Sequence, residues 1–124
     1  MYEIEIYQTE SGRSPVYEYL KYLARNNLQD DITRIKYCER LLAEYGMQVN
    51  EVRNHTIRQL RDDIYELRPG KHRVFFFYFT GKRFVLLHAY RKSSMEAPPR
   101  EIKQAIREKN DYIRRHKNEL SDVR

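Results

Sequence analysis

Between Ile57 and Tyr90 apolar residues fall at every second position in four short runs, and this pattern constrains the fold more than any other feature of the sequence. The runs are Ile57–Leu60, Ile64–Arg68, Arg73–Phe79 and Arg83–Tyr90. They are separated only by Arg61-Asp62-Asp63, Pro69-Gly70-Lys71-His72 and Thr80-Gly81-Lys82. A period of two belongs to strands that bury one face. Connections this short leave no room for a crossover, so neighbouring strands must run antiparallel. The segment is predicted to be a four-stranded antiparallel meander.

The flanks follow a different rule. Tyr2 to Tyr7 alternates, with Ile4 and Ile6 against Glu3 and Glu5, and reads as one more strand. Ser14-Pro15 then looks like an N-cap followed by proline in the first helical position. Val16, Tyr19, Leu20 and Leu23 recur at helical spacing, giving a helix to about Arg25. A second helix is expected from about Leu28, with Ile32, Ile35, Leu41 and Leu42 on its apolar side and Gly46 as its stop. Met47 to Thr56 is polar and irregular and reads as a loop. After Pro98-Pro99, a third helix is expected over Arg100–Lys117 on a narrow stripe of Ile102, Ala105, Ile106 and Ile113, with residues 118–124 as a frayed tail. The expected fold class is therefore α+β: an N-terminal strand, two helices, the meander and a C-terminal helix. All 124 residues form one domain.

Turn lengths propose a register. With Pro69–His72 as a loop, Arg68 pairs with Arg73, Leu67 with Val74 and Glu66 with Phe75; with Gly81-Lys82 as a two-residue turn, Phe75 pairs with His88 and Arg73 with Tyr90. Paired residues share a face. One face then carries Tyr65, Leu67, Val74, Phe76, Val85, Leu87 and Ala89, to pack on the first two helices. The other carries Glu66, Arg68, Arg73, His88 and Tyr90, with Lys92 beyond. A slip of one residue would drive Arg68 and Arg73 into the core, at a cost of several kcal/mol each.

Two arginines side by side across a hairpin repel one another unless something anionic compensates. Glu66 can do so within the fold, and a phosphate from outside can do so equally. Charge distribution favours a polyanion. Residues 53–92 hold ten Lys or Arg against three acids, while the whole chain has a formal charge of +6. The excess therefore sits in the sheet. Arg58, Arg61, Lys71, Arg91 and His55, from the same segment, are candidates for contacts along an RNA strand. His72, at a turn tip, and His55, in a loop, are expected to be exposed.

No metal site or other cofactor is expected: the histidines lack HxH or HExxH spacing, Cys38 is alone, and no Gly-rich phosphate loop is present. RNA supplies its own nucleophile in the 2′-hydroxyl. A protein can therefore cut it by stabilising charge on the phosphate and moving protons. Arg68, Arg73 and Lys92 suit the first task; His88 and Tyr90 suit the second. Lacking an apolar run of ~18 residues and a basic-then-apolar leader in MYEIEIYQ, the chain is expected in the cytoplasm, away from membranes.

The run Leu60-Arg61-Asp62-Asp63-Ile64-Tyr65-Glu66-Leu67-Arg68 resembles the central strand motif of the RelE/ParE toxin superfamily. Arg73-Val74-Phe75-Phe76-Phe77-Tyr78 resembles the arginine-led strand after it. Val85-Leu86-Leu87-His88-Ala89-Tyr90-Arg91-Lys92-Ser93 resembles the last strand with its basic end. The combination is most similar to HigB-like toxins of type II toxin–antitoxin systems. The resemblance implies a RelE-like fold, a twisted sheet with helices on one side and a basic concave face opposite. It also implies metal-free, ribosome-dependent cleavage of mRNA through 2′-hydroxyl attack. The implied partners are the ribosome, mRNA and an inhibitory helix-turn-helix antitoxin (HigA-like) that would carry the toxin to operator DNA indirectly. Carried over by position, Arg73 matches the main phosphate-stabilising arginine, Lys92 a second basic residue and Arg68 the arginine of the ELR motif. Glu66 stands where RelE has a catalytic lysine, and Met95-Glu96-Ala97-Pro98 offers no match for its catalytic tyrosine, so His88, Tyr90 and Glu66 all remain open for proton transfer. Two other functions fit parts of the pattern: a ParE-like inhibitor of DNA gyrase, and a nucleic-acid-binding module without catalysis.

Overall fold

A computed structural model describes residues 1–122. Its elements are β1 (Glu3–Ile6), α1 (Pro15–Arg25), α2 (Gln29–Tyr45), a 3₁₀ turn (Gly46–Gln48), α3 (Val49–Val52), β2 (Ile57–Gln59), β3 (Tyr65–Leu67), β4 (His72–Tyr78), β5 (Arg83–Arg91), α4 (Pro99–Arg115) and α5 (Lys117–Asp122). The strands form one sheet in the order β1-β5-β4-β3-β2. β2 to β5 make the expected antiparallel meander, and β1 joins its far edge parallel to β5. Among the described residues, no helix is long and apolar enough to cross a membrane.

Local sequence sets the helix ends. The Ser14 hydroxyl accepts the Tyr17 N–H and caps α1, with Pro15 opening the helix. Gly46 ends α2 at φ +62°, where an added Cβ would collide with the ring of Tyr2. The expected loop from Met47 to Thr56 is instead partly helical. Val49 is buried there, and the Asn50 side chain accepts the N–H groups of Thr56 and Ile57 while donating to Ile57 O, each at 2.9 Å. One amide thus tethers the turn to the start of β2.

The C-terminus also departs from expectation. α4 ends at Arg115, and the chain re-enters a helix over Lys117–Asp122 in place of one helix to Lys117; residues 123 and 124 lie outside the described part. Arg83 supplies the reason. Its guanidinium reaches Glu119 of α5 at 3.0 Å, Tyr112 of α4 at 2.9 Å, and Glu3 and Glu5 of β1 at 2.9 and 3.5 Å.

Both faces of the sheet are covered. On one, α1 and α2 bury Leu23, Ile35, Leu42, Leu67, Val74, Phe76, Phe84 and Leu86. On the other, α4 lays Ala105 and Tyr112, with Ile102, Ile106 and Ile113, over Phe75, Phe77, Val85 and Leu87. The arrangement with helices on one side only is therefore corrected. The cause is apolar area: burying Phe75 and Phe77 is worth ~1.5–3 kcal/mol each, and a bare sheet would forgo it.

Val85 and Leu87 were expected against α1 and α2; they face α4 instead. The β4–β5 register shifts between Phe75 and Phe76: Phe75 pairs with His88, yet Phe76 pairs with Leu86. Leu87 is the extra residue of a β-bulge, which reverses the alternation below it. The turn is also one residue longer than expected, because Phe79 N–H bonds Arg83 O across Thr80–Lys82. The two one-residue displacements cancel. The pairs Phe75–His88 and Arg73–Tyr90 therefore stand as the turn lengths proposed.

Candidate active site

The register assembles the site in two rows. Arg58 pairs with Glu66, Glu66 with Phe75 and Phe75 with His88, so these side chains share the α4 side of the sheet. One row further, Arg73 pairs with Tyr90, and Arg68, just past β3, continues the line. Glu66, Arg68, Arg73 and Tyr90 are thus brought together as the sequence suggested.

At the centre, Arg73 Nε lies 3.2 Å from Glu66 Oε1, with side-chain exposures of 8% and 4%. Arg73 Nη1 also donates to Gly70 O at 2.9 Å and His72 O at 2.8 Å, which fixes the guanidinium plane; Nη2 makes none of these bonds. Arg68 and Arg58 both act electrostatically on Glu66 and Arg73, but among the described residues Glu66 pairs with Arg73 alone and does not bridge to Arg68. Arg58 reaches Glu96 at 3.4 Å across the open rim. Arg68 Nε is buried with no hydrogen-bond partner among the described residues. A buried N–H of that kind costs about 1–3 kcal/mol unless an acceptor meets it.

Burial governs the protonation of the cluster. It raises the affinity of the Glu66 carboxyl for its proton, more strongly than the three arginines lower it. It also works against the charge on Arg73, which Glu66 offsets. The Tyr90 phenol is pushed up to about 12 by burial and then by the nearby Glu66. Tyr90 therefore keeps its proton near neutral pH, while its ring packs edge-on against Phe75 at 5.4 Å. Three guanidinium groups around one buried carboxylate leave the cluster with net positive charge. It can receive a phosphate, supply a proton from Tyr90 and take one on Glu66.

His88 is placed differently from its neighbours. It is 3% exposed, with Nδ1 2.6 Å from Glu108 Oε1 and Nε2 3.0 Å from Glu101 Oε1, both on α4. Neither nitrogen is open to a ligand. The bracket fastens α4 to β5 and sets the floor beneath Tyr90.

The remaining candidates spread over the surface. Lys92 is half-buried, with its N–H on Lys71 O at 2.9 Å, at the same end of the sheet as Arg73. His55 is exposed in the turn before β2, as expected. Arg61 sits at the far end of the β2–β3 hairpin, outside the cluster. Lys71 and Arg91 are exposed and line a cleft beside α1 and α2. His72, expected in solvent, is 3% exposed, its Nδ1 2.6 Å from the Tyr19 hydroxyl. Burial lowers its proton affinity. Sequence reasoning missed Glu96, Glu101 and Glu108. The last two stand seven residues apart, with Ala105 between them at helical spacing, so their shared helix face was legible while their target was not.

Residues 29–110, which hold every member of the cluster, match the family described as "Phage derived protein Gp49-like (DUF891)". No curated protein matches the chain. Because the match spans more than half of the sequence, this chain belongs to the Gp49-like phage-derived family, within the RelE/ParE-like toxin superfamily.

Proposed function

We propose that this protein is the toxin of a type II toxin–antitoxin system and an endoribonuclease that cuts mRNA on the ribosome without a metal. The observation that carries the reading is the Arg58–Arg68–Arg73 group around buried Glu66, with one arginine N–H awaiting an acceptor. Arg73 and Arg68 hold the scissile phosphate, and Arg58 and Lys92 flank it. Glu66 takes the proton from the 2′-hydroxyl as its oxygen bonds phosphorus. The bond to the 5′-oxygen breaks, and Tyr90 gives that oxygen a proton. The products are a 2′,3′-cyclic phosphate and a 5′-hydroxyl. His88 acts as a positioning residue by holding α4 behind Tyr90.

The same reading assigns the partners. The ribosome presents the mRNA, a HigA-like helix-turn-helix antitoxin restrains the enzyme in the cytoplasm, and contact with operator DNA passes through that antitoxin. Growth arrest on induction, with new 5′-hydroxyl ends inside translated messages, is the expected result. Arrest accompanied by DNA damage and intact messages would instead support a gyrase inhibitor. RNA retention without cleavage, even with ribosomes present, would reduce the protein to a binding module.

A further inference from the structure

A second cleft lies on the opposite side of the sheet, where the α1–α2 turn meets the β3–β4 turn. Its volume is about 530 Å³, within the range of small-ligand pockets. We infer that this cleft is a separate nucleotide-binding pocket, in which Tyr19 and Tyr22 face an amino-bearing base and Arg34, Lys71 and Arg91 hold its phosphate.

Three observations converge on this assignment. First, the cleft has aromatic walls. Tyr19 and Tyr22 lie 6.1 Å apart at 32°, and Tyr22 is 55% exposed, so a base can cover a ring that water now meets. Second, its rim is cationic. The Lys71 and Arg91 side chains pair with no acid among the described residues, while Arg34 is shared with Asp31 at 3.1 Å. Third, its floor is polar. Buried His72 is held by Tyr19 at 2.6 Å and lies 3.5 Å from Asp31.

Asp31 decides between a bare anion and a nucleotide. A carboxylate on the floor repels a free phosphate, but its unengaged oxygen accepts well from the exocyclic amine of a base such as cytosine. The tyrosine rings and the volume likewise exceed what phosphate alone requires. The cleft also shares the Pro69–Lys71 turn with the Arg73 cluster, since Arg73 donates to Gly70 O while Gly70 lines the cleft. The two sites nevertheless face opposite ways. Binding here stands independently of cleavage.

Titration calorimetry of the purified full chain with CMP, UMP and inorganic phosphate tests the inference, and a cytidine-containing RNA trinucleotide tells free nucleotide from strand. CMP should bind more tightly than UMP, and phosphate should bind weakest. Arg91→Ala and Lys71→Ala, both exposed positions, should each weaken CMP by about tenfold, as loss of a charge-assisted contact implies. Asp31→Asn should remove the preference for CMP over UMP, and Arg107→Ala, an exposed position on α4 across the sheet, should leave CMP binding unchanged. A trinucleotide that outcompetes CMP assigns the pocket to a strand; equal affinity assigns it to the free nucleotide. Phosphate binding as tightly as CMP, no nucleotide binding at millimolar concentration, or equal losses in Arg107→Ala and Arg91→Ala would each overturn the pocket.

Discussion

Arg73 Nε lies 3.2 Å from Glu66 Oε1, and both side chains are more than nine-tenths buried. Neither charge has a solvent shell to return to, so the pair is stable only as a pair. Glu66→Ala should therefore cost about 3–5 kcal/mol in urea denaturation, because Arg73 would be left buried and uncompensated. A loss below ~1 kcal/mol, the level of a surface ion pair, would show that water reaches the guanidinium freely.

Glu66→Gln preserves shape while removing the base. Cleavage of a ribosome-bound message should slow by about 10²–10⁴-fold, measured at a temperature where circular dichroism shows the variant folded, since Arg73 loses its counter-charge here too. Undiminished cleavage in that variant would move proton abstraction elsewhere.

Tyr90→Phe isolates the phenol, because the ring contact with Phe75 survives. The cleavage rate should drop by about 10²-fold while the melting temperature moves little. A pH–rate profile identical to that of the unmodified protein, at unchanged rate, would exclude Tyr90 as the proton donor.

His88→Ala should release the α4 bracket. Two bonds to carboxylates are lost, each worth ~1.5–3 kcal/mol in a buried setting. Backbone exchange across residues 99–115 should accelerate, while β1 and α2 stay protected. Uniform acceleration over the whole chain would show instead that the bracket supports the sheet itself.

His72 makes stability depend on pH in a defined direction. Burial lowers its proton affinity below the ordinary 6.5, with Asp31 opposing the shift. The unfolded chain therefore takes up the proton first as pH falls. Stability is full above about pH 6.5 and declines as pH drops from there toward the lowered folded value. His72→Gln should flatten that part of the curve in urea midpoints compared between pH 7.5 and 5.5. Rising stability over the same interval would contradict the sign.

Much of this architecture was readable because alternation and turn length act locally. The meander, the Ser14 cap and the Gly46 stop each follow from a few neighbouring residues. The juxtaposition of Glu66, Arg68, Arg73 and Tyr90 was also readable, though through two errors that offset one another. The turn is longer than proposed by one residue, and Leu87 adds one back. A bulge at an apolar position leaves no mark in composition, since Val85, Leu86 and Leu87 suit either face. What stayed hidden depended on distant segments. His88 meets glutamates 13 and 20 residues onward. His72 is covered by Tyr19, 53 residues before it, so a turn-tip position gave a misleading impression of exposure.

Arg83 joins β1, β5, α4 and α5 through a single side chain. Segments more than a hundred residues apart therefore share one fastening, and neither can peel away without loosening the other. The edge strand and the last helix should therefore open together, as one cooperative unit rather than as two independently fraying ends.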